Sequence, residues 1–283
     1  MNNTMKGLLI FILCTSLLTG MPTGVSAENL TLASAIEKGG LQRMLIQRIG
    51  KAYCQIGIGV YTQTSREQLS QSVEMFDTQL NELEAFAPTP QIKEALLQVR
   101  QLWGPVKTVA TGEVTKEGAK KVAYWNDDLL HASHKVVQLL QDTSNTSYAR
   151  LVNLSGRQRM LSQRLAKFYM LKVWGFDTLT IADEVENAKN DFTGALETLR
   201  AATENTEAIS RQLDAVYRDW TWFQKALNMK DTDFFPQLVA DVSESILVSM
   251  DDITKKYEEL ADKILIRQTP AKANSKASEK KNQ

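Results

Sequence analysis

One segment of this 283-residue chain occurs twice in nearly the same form. Residues 39–53 read GGLQRMLIQRIGKAY and residues 155–169 read SGRQRMLSQRLAKFY, so equivalent positions lie 116 residues apart. The same offset aligns Phe76 with Phe192, and with a shift of one residue the alignment continues towards the end of the chain. A register that persists over this distance indicates a tandem duplication. The chain is therefore expected to fold into two copies of one unit.

The composition indicates that this unit is built from α-helices. The chain has only 14 Gly and 6 Pro, whereas Leu, Ala, Gln, Glu and Lys are abundant, which argues against a sandwich or a barrel. Its 33 basic and 33 acidic residues balance, so it lacks the charge excess of proteins that bind nucleic acid or anionic membranes. We predict an all-α fold of two tandem, antiparallel four-helix-bundle-like repeats packed about a pseudo-twofold axis.

Apolar periodicity and helix-breaking residues divide each copy into four predicted helices. They cover residues 30–62, 66–86, 90–110 and 115–141 in the first copy, and 146–174, 178–202, 205–228 and 236–266 in the second. We place the first repeat at residues 28–142 and the second at residues 143–267. Residues 268–283 are rich in Lys, Ala, Ser and Asn and show no apolar face, so we expect a disordered tail there.

The N-terminus has the pattern of a secretory signal peptide. Lys6 precedes an apolar run over residues 7–18, and the small residues of Val25-Ser26-Ala27 suit a signal peptidase. We predict that residues 1–27 are a signal peptide cleaved after Ala27, which places the mature chain in the periplasm. One cysteine, Cys54, remains after cleavage, so no intramolecular disulfide is expected.

One face of the repeated helix carries an unusual set of polar residues. At 100° per residue, Arg43 and Gln47 lie opposite the apolar stripe, and Arg159 and Gln163 occupy the same positions in the second copy. Small or soft residues follow on that face, which favours packing of the two helices on each other. Arg43 and Arg159 would then meet, and two buried guanidiniums repel unless an anion lies between them. With the two Gln amides as further donors, this predicts a small-oxyanion site; the alternative is that carboxylates pair with both arginines.

The other polar residues give no sign of catalysis. Arg48 and Arg164 fall within the apolar stripe, so we predict that they form structural ion pairs with carboxylates. His131 and His134 lie three residues apart near Asp128, a spacing more typical of a solvated helix face than of a metal site. The sequence contains no motif of a phosphate-binding loop, a nucleophile elbow or a zinc protease. We expect neither an enzyme nor a cofactor- or metal-binding protein.

The GxQRMLxQR segment of both copies resembles the signature of the PilJ-type, NarX-like N-terminal sensor domain. This is the ligand-binding region of certain bacterial nitrate/nitrite sensor kinases and of the type IV pili methyl-accepting chemotaxis transducers. The resemblance covers nearly all of residues 30–265, as a tandem pair, and implies a periplasmic helical bundle that dimerises. It also implies that the Arg before Met binds nitrate or nitrite at the dimer axis, one Arg from each subunit. The matching positions here are Arg43 and Arg159.

Two functions follow from these observations as hypotheses. The first is a soluble, periplasmic, sensor-like protein that binds a small oxyanion, nitrate or nitrite by resemblance, between the paired arginines. Because no second apolar span follows the signal peptide, a membrane sensor or chemoreceptor is expected to carry the signal, and a homodimer is compatible with this reading. The alternative is a ligand-free adaptor or scaffold of the cell envelope, which predicts carboxylates bonded to Arg43 and Arg159.

Overall fold

The described part of the chain is entirely helical in its regular structure, which confirms the predicted all-α fold. The computed structural model describes residues 30–144, 146–176, 179–228 and 235–279, without the side chains of residues 179 and 264–279. The predicted signal peptide, residues 1–27, lies outside this part. The described residues form eight helices: α1 (Leu32–Gly57), α2 (Thr62–Phe86), α3 (Pro90–Ala110), α4 (Lys116–Ser144), α5 (Ser147–Val173), α6 (Leu179–Arg200), α7 (Glu207–Leu227) and α8 (Pro236–Glu279).

Threonine side chains begin four of these helices. Thr31 and Thr146 cap α1 and α5, and Thr89 and Thr206 cap α3 and α7. In each case the hydroxyl oxygen accepts a hydrogen bond from the backbone N–H three residues later, which satisfies a donor that the helix itself leaves free. Thr89 and Thr206 are equivalent positions of the two copies, so the duplication extends to the signals that start the helices.

The helices form two rings of four that share a central seam. In the first half α1 contacts α2 and α4, and α3 contacts α2 and α4; in the second half α5, α6, α7 and α8 repeat this pattern. The most extensive contact in the molecule is between α1 and α5, and the equivalent pairs α1–α8 and α4–α5 flank it. The helices that carry the repeated motif therefore pack on each other, as their small-residue faces predicted.

The core of each half is organised around one tryptophan. Trp103 lies on Phe76 and its repeat equivalent Trp220 lies on Phe192, with 4.2 Å between ring centroids in both pairs. Both indoles are almost completely buried. Because equivalent aromatic pairs fix α3 against α2 and α7 against α6, the two halves share their core packing as well as their helix order.

Two predicted boundaries differ from the observed ones. Helix α1 ends at Gly57 instead of residue 62, because the chain turns at Gly59, whose φ of 76° lies in the left-handed region that glycine adopts readily. The backbone of α8 is helical to Glu279, whereas residues 268–283 were predicted to be a disordered tail. Residues 280–283 lie outside the described part.

None of the helices described is long and apolar enough to cross a membrane.

Candidate anion-binding site

Two glycines allow α1 and α5 to approach closely at their crossing. A Cβ atom added to Gly40 would lie 3.7 Å from the Cα of Gly156, and one added to Gly156 would lie 3.6 Å from the Cα of Gly40. The same position on Gly40 would be 3.5 Å from the Nη2 atoms of both Arg43 and Arg159. The structure therefore brings together the two arginines that the helical face singled out.

Arg159 is neutralised by two carboxylates. Its Nη1 donates to Glu37 Oε1 at 2.9 Å and to Asp251 Oδ1 at 2.6 Å, and its side chain is fully buried. Burial opposes ionisation of Asp251, but hydrogen bonds from Lys255 and Arg159, with the Arg159 charge, lower the pKa of this carboxyl. The environment of Arg159 thus matches the alternative prediction, in which carboxylates pair with the arginines.

Arg43 has polar neighbours, but none of the described residues places a negative charge beside it. Its Nη1 lies 3.1 Å from Nδ1 of His134, and its Nη2 donates to Asn153 Oδ1 at 2.8 Å. Within the described part of the chain it forms no ion pair, although it is only 1% exposed. Burial, followed by repulsion from Arg159 and Arg157, lowers the pKa of Arg43 from 12.5 to about 9. Arg43 is therefore a buried cation without a counter-ion among the described residues.

The neighbours of the two arginines occupy equivalent positions of the duplication. Asn153 stands 116 residues after Glu37, and Asp251 stands 117 residues after His134, which are the two offsets of the repeat. Each arginine is thus contacted by one residue of its own half and one residue of the opposite half, and these residues stand at equivalent positions of the repeat. These positions carry two acids around Arg159 and two neutral groups around Arg43, so the predicted symmetric clamp is electrostatically one-sided.

His134 is in direct contact with Arg43, although we predicted that it lies on a solvated helix face. It is partly buried, and the hydrogen bond from Arg43 Nη1 requires a neutral ring whose Nδ1 accepts. Burial, then repulsion from Arg43, Arg157 and His131, lowers the pKa of His134 to about 4. The repeat register could have revealed this residue, because it aligns His134 with an acid.

A cavity of about 210 Å³ opens beside Arg43 between α4, α5 and α6. We call it the basic cavity, after its basic lining residues Arg43, His131, His134, Arg157 and Arg164. Arg157 pairs with Asp191 at 2.6 Å and Arg164 with Glu184 at 2.7 Å, and both carboxylates also line the cavity. The guanidinium of Arg43 is thus the cation in this cavity that no described carboxylate neutralises.

The equivalent region of the other half is larger and acidic. A groove of about 1170 Å³ lies between α1, α2 and α8, and we call it the acidic groove. Its acids are Glu37, Glu82, Glu244, Asp251 and Glu258, against the cations Lys38, Arg48 and Lys255. The two sides of the α1–α5 seam therefore present opposite charge to solutes.

The two glutamines predicted to assist the arginines also differ from each other. Gln47 is fully buried, and neither of its amide atoms has a hydrogen-bond partner among the described residues. Gln163 is equally buried, but its Nε2 donates to the backbone carbonyl of Ser243 at 3.0 Å. Of the two glutamines, only Gln47 therefore retains an amide donor without a partner among the described residues.

The arginines predicted to form structural ion pairs lie at the edges of the seam. Arg48 Nη2 is 2.6 Å from Glu244, and Arg164 Nη2 is 2.7 Å from Glu184 and 3.4 Å from Asp127. Glu244 and Asp127 are equivalent positions of the two copies. These contacts leave both guanidiniums with a carboxylate beside them.

Two lysines add buried positive charge further along the seam. Lys51 bonds to Glu244 and to Ser243 Oγ, whereas Lys167 Nζ has no hydrogen-bond partner in the part of the chain described and lies 4.4 Å from the centre of the Phe168 ring. Burial lowers the pKa of each lysine to about 8. The described residues contain no cluster of His, Cys, Asp and Glu that could hold a metal ion.

Comparison with known proteins gives one finding about this chain. A family model described as PilJ, type IV pili methyl-accepting chemotaxis transducer N-term, matches residues 25–124 and 142–237. The two matched segments follow the two copies of the duplication. No curated protein and no solved structure matches the chain.

Proposed function

Because this chain belongs to the PilJ family of chemotaxis-transducer N-terminal domains, we propose that it is a periplasmic, sensor-type binding protein for a small oxyanion. The anion binds where α1 and α5 cross and Arg43 and Arg159 meet. A membrane chemoreceptor or sensor then reads the bound state.

The observation that carries this proposal is the buried charge of Arg43, which no carboxylate of the described residues neutralises. Transferring a cation out of water is costly unless a counter-charge and hydrogen-bond acceptors replace the water. His134 and Asn153 supply acceptors but no charge. An oxyanion supplies both, because its oxygens accept from the planar guanidinium donors while its charge balances that of Arg43.

The chemistry of the site favours a small ligand. The basic cavity holds about 210 Å³, and the guanidinium of Arg43 lines it. Gln47, one helical turn further along α1, has an amide without a hydrogen-bond partner among the described residues. Nitrate and nitrite are small, singly charged and carry oxygens in one plane, so they suit these donors. The family resemblance of the repeated motif points to the same two anions.

The position of the site explains how binding could be transmitted. An anion at the α1–α5 crossing touches both halves of the molecule, since this helix pair joins the two rings. An anion bound to Arg43 offsets the repulsion between Arg43 and Arg159 and so changes the preferred packing of α1 on α5. A partner that binds the two packings with different affinity converts that change into a signal.

A ligand-free adaptor or scaffold is the second candidate, and one observation favours it. Glu37 and Asp251 both accept from Nη1 of Arg159, as that function predicts, although Nε and Nη2 have no hydrogen-bond partner among the described residues. The same function predicts carboxylates on Arg43, where the structure has His134 and Asn153 instead. The scaffold function therefore explains the carboxylates at Arg159, and the anion-binding function explains the neutral neighbours of Arg43.

Thermal unfolding in the presence of anions tests the proposal. Residues 28–283 are titrated with nitrate, nitrite, chloride and sulfate at matched ionic strength, alongside Arg43→Ala. Binding to the folded state raises the midpoint in step with anion concentration, so nitrate or nitrite should raise it in the wild type and fail to do so in Arg43→Ala. Arg211→Ala, which removes an arginine that is 67% exposed, is the matched control and should respond like the wild type. A flat response of the wild type to all four anions would support the scaffold instead.

A further inference from the structure

We propose that the oxyanion site is one-sided: one anion binds per chain, in the basic cavity on Arg43, and His134 takes up a proton as the anion enters. The equivalent position at Arg159 stays closed to anions. This inference rests on the proposed function and adds the location, the stoichiometry and the proton coupling of the site.

The carboxylates at Arg159 close the second position. Glu37 Oε1 and Asp251 Oδ1 already accept from Arg159 Nη1, and an anion on that side would lie beside two negative charges. On the side of Arg43 the equivalent positions are Asn153 and His134, which repel no anion. An anion that reaches the α1–α5 crossing is thus drawn towards α4 and away from α8.

The hydrogen bond between Arg43 and His134 provides the proton coupling. Without an anion, Nδ1 of His134 must stay unprotonated because Arg43 Nη1 donates to it across 3.1 Å. A proton on Nδ1 would turn this contact into two opposed donors. When an oxygen of the anion lies between them, the same two donors converge on one acceptor, and the protonated ring becomes the favoured form.

The charges that face His134 set the direction of the pH effect. Arg43 on α1, Arg157 on α5 and His131 on α4 repel a proton on the ring, and Asp191 on α6 is paired with Arg157. With burial, these charges hold the pKa of His134 at about 4 in the absence of an anion, and a bound anion raises it. The affinity for the anion therefore increases as the pH falls from neutral towards 4. Because a single group takes up the proton, the increase is at most about tenfold per pH unit.

Nuclear magnetic resonance of the histidine rings tests the coupling directly, because the chain has only two histidines. His131 and His134 give two sets of ring signals, which His134→Gln assigns. Adding nitrate should raise the pKa of His134. In His134→Gln the nitrate-induced rise in unfolding midpoint should lose its dependence on pH between 7 and 4.5.

A pair of substitutions that copies one half onto the other tests the one-sidedness. Asn153→Glu with His134→Asp gives Arg43 the neighbours of Arg159, so the double variant should unfold at a higher temperature without nitrate and should lose the response to nitrate. The control is Gln101→Glu with Gln138→Glu, which adds two acids at exposed positions and should keep the response.

The outcomes separate this inference from the function on which it rests. If nitrate raises the unfolding midpoint of the wild type but the double variant still responds, or the signals of His134 do not move, the anion binds elsewhere and the inference is wrong. A stoichiometry of two nitrates per chain by calorimetry would also overturn it. If the wild type responds to no anion by either method, the proposed function itself fails.

Discussion

At the scale of single residues, two pairs of side chains decide how the two central arginines behave. Arg43 and Arg159 are equivalent in sequence, in burial and in their approach to the glycine crossing. Glu37 and Asp251 contact Arg159, whereas Asn153 and His134 occupy the equivalent positions at Arg43. The described neighbours of Arg43 therefore lack the two negative charges that lie beside Arg159. The electrostatic character of a buried group is therefore a property of its neighbours more than of the group itself.

The close approach of Gly118 to Tyr53 can be tested by adding a methyl group at position 118. A Cβ at this position would lie 1.9 Å from Oη of Tyr53, which donates to the carbonyl of Glu113 and accepts from the N–H of Thr115. Gly118→Ala must displace the phenol and break these bonds, so we expect a loss of about 1–3 kcal/mol in the free energy of unfolding. Urea denaturation followed by circular dichroism measures it.

The matched control is Gly104→Ala in α3, where an added Cβ has open space around it. Alanine is the better helix former, so this variant should gain about 0.5–1 kcal/mol. Equal midpoints for the two variants would show that the contact between Gly118 and Tyr53 imposes no constraint.

The sequence identified the central residues of the site but missed some of their partners. Arg43 and Arg159 could be found because their position on one helix face depends only on the helical repeat. His134 and Asn153 lie on other helices, and their approach to Arg43 depends on how three helices rotate and pack, which periodicity does not specify. The repeat register was the available signal, since it compares the partners of the two arginines position by position.

At the scale of helices, α1 and α5 differ from the rest because they are buried on nearly all sides while carrying polar residues around their circumference. Their boundaries, and those of the other helices, were predicted within a few residues wherever a proline, a threonine cap or a polar turn marks the end. The turn after Gly57 and the extension of α8 were missed. Both depend on the conformation of a particular backbone segment, which composition describes only on average.

The two buried lysines of this helix pair should make stability depend on pH in the alkaline range. Their pKa is about 8 in the folded protein, against 10.5 for an unhindered lysine, so between these values the unfolded chain binds more protons. The free energy of unfolding should therefore rise as the pH increases from 8 to 10.5. Lys167→Met should stabilise the protein at pH 7, by up to about 3 kcal/mol, and should reduce this rise.

Lys51→Met is the contrasting variant, because Lys51 bonds to Glu244 whereas Lys167 Nζ has no hydrogen-bond partner in the described residues. Lys51→Met also removes the ion pair with Glu244, which then keeps Arg48 as its cationic neighbour among the described residues, so this substitution should stabilise the protein at pH 7 by less than Lys167→Met. Chemical denaturation of both variants at pH 7 and pH 10 measures the two effects. A gain from Lys51→Met as large as that from Lys167→Met would contradict the assignment of the ion pair.

At the scale of the whole molecule, the α1–α5 seam makes each half dependent on the other. Each ring of four helices has its own aromatic core, yet one side of its first helix is covered only by the other half. That side carries buried arginine, glutamine and lysine residues, which would be hydrated or mispaired if the halves separated. The seam is thus both the interface between the two units and the location of the proposed site.

Separating the predicted repeats should reveal this dependence. Residues 28–142 alone would expose the seam face of α1, so we expect this fragment to self-associate or to remain partly unfolded. Mixing it with residues 143–267 should restore a one-to-one complex with the helix content of the intact chain. Sedimentation velocity and circular dichroism give the two readouts, and a stable, monomeric, fully helical 28–142 fragment would contradict the expectation.

The covalent link between the two halves has an evolutionary consequence. In a dimer of identical subunits every mutation appears on both sides of the axis. An acid that neutralises one arginine therefore also neutralises the symmetry-related arginine. Once the two copies lie in one gene, each can mutate independently. The first copy has Glu37 and His134 where the second has Asn153 and Asp251. As a result, carboxylates neutralise Arg159, whereas no described carboxylate neutralises Arg43.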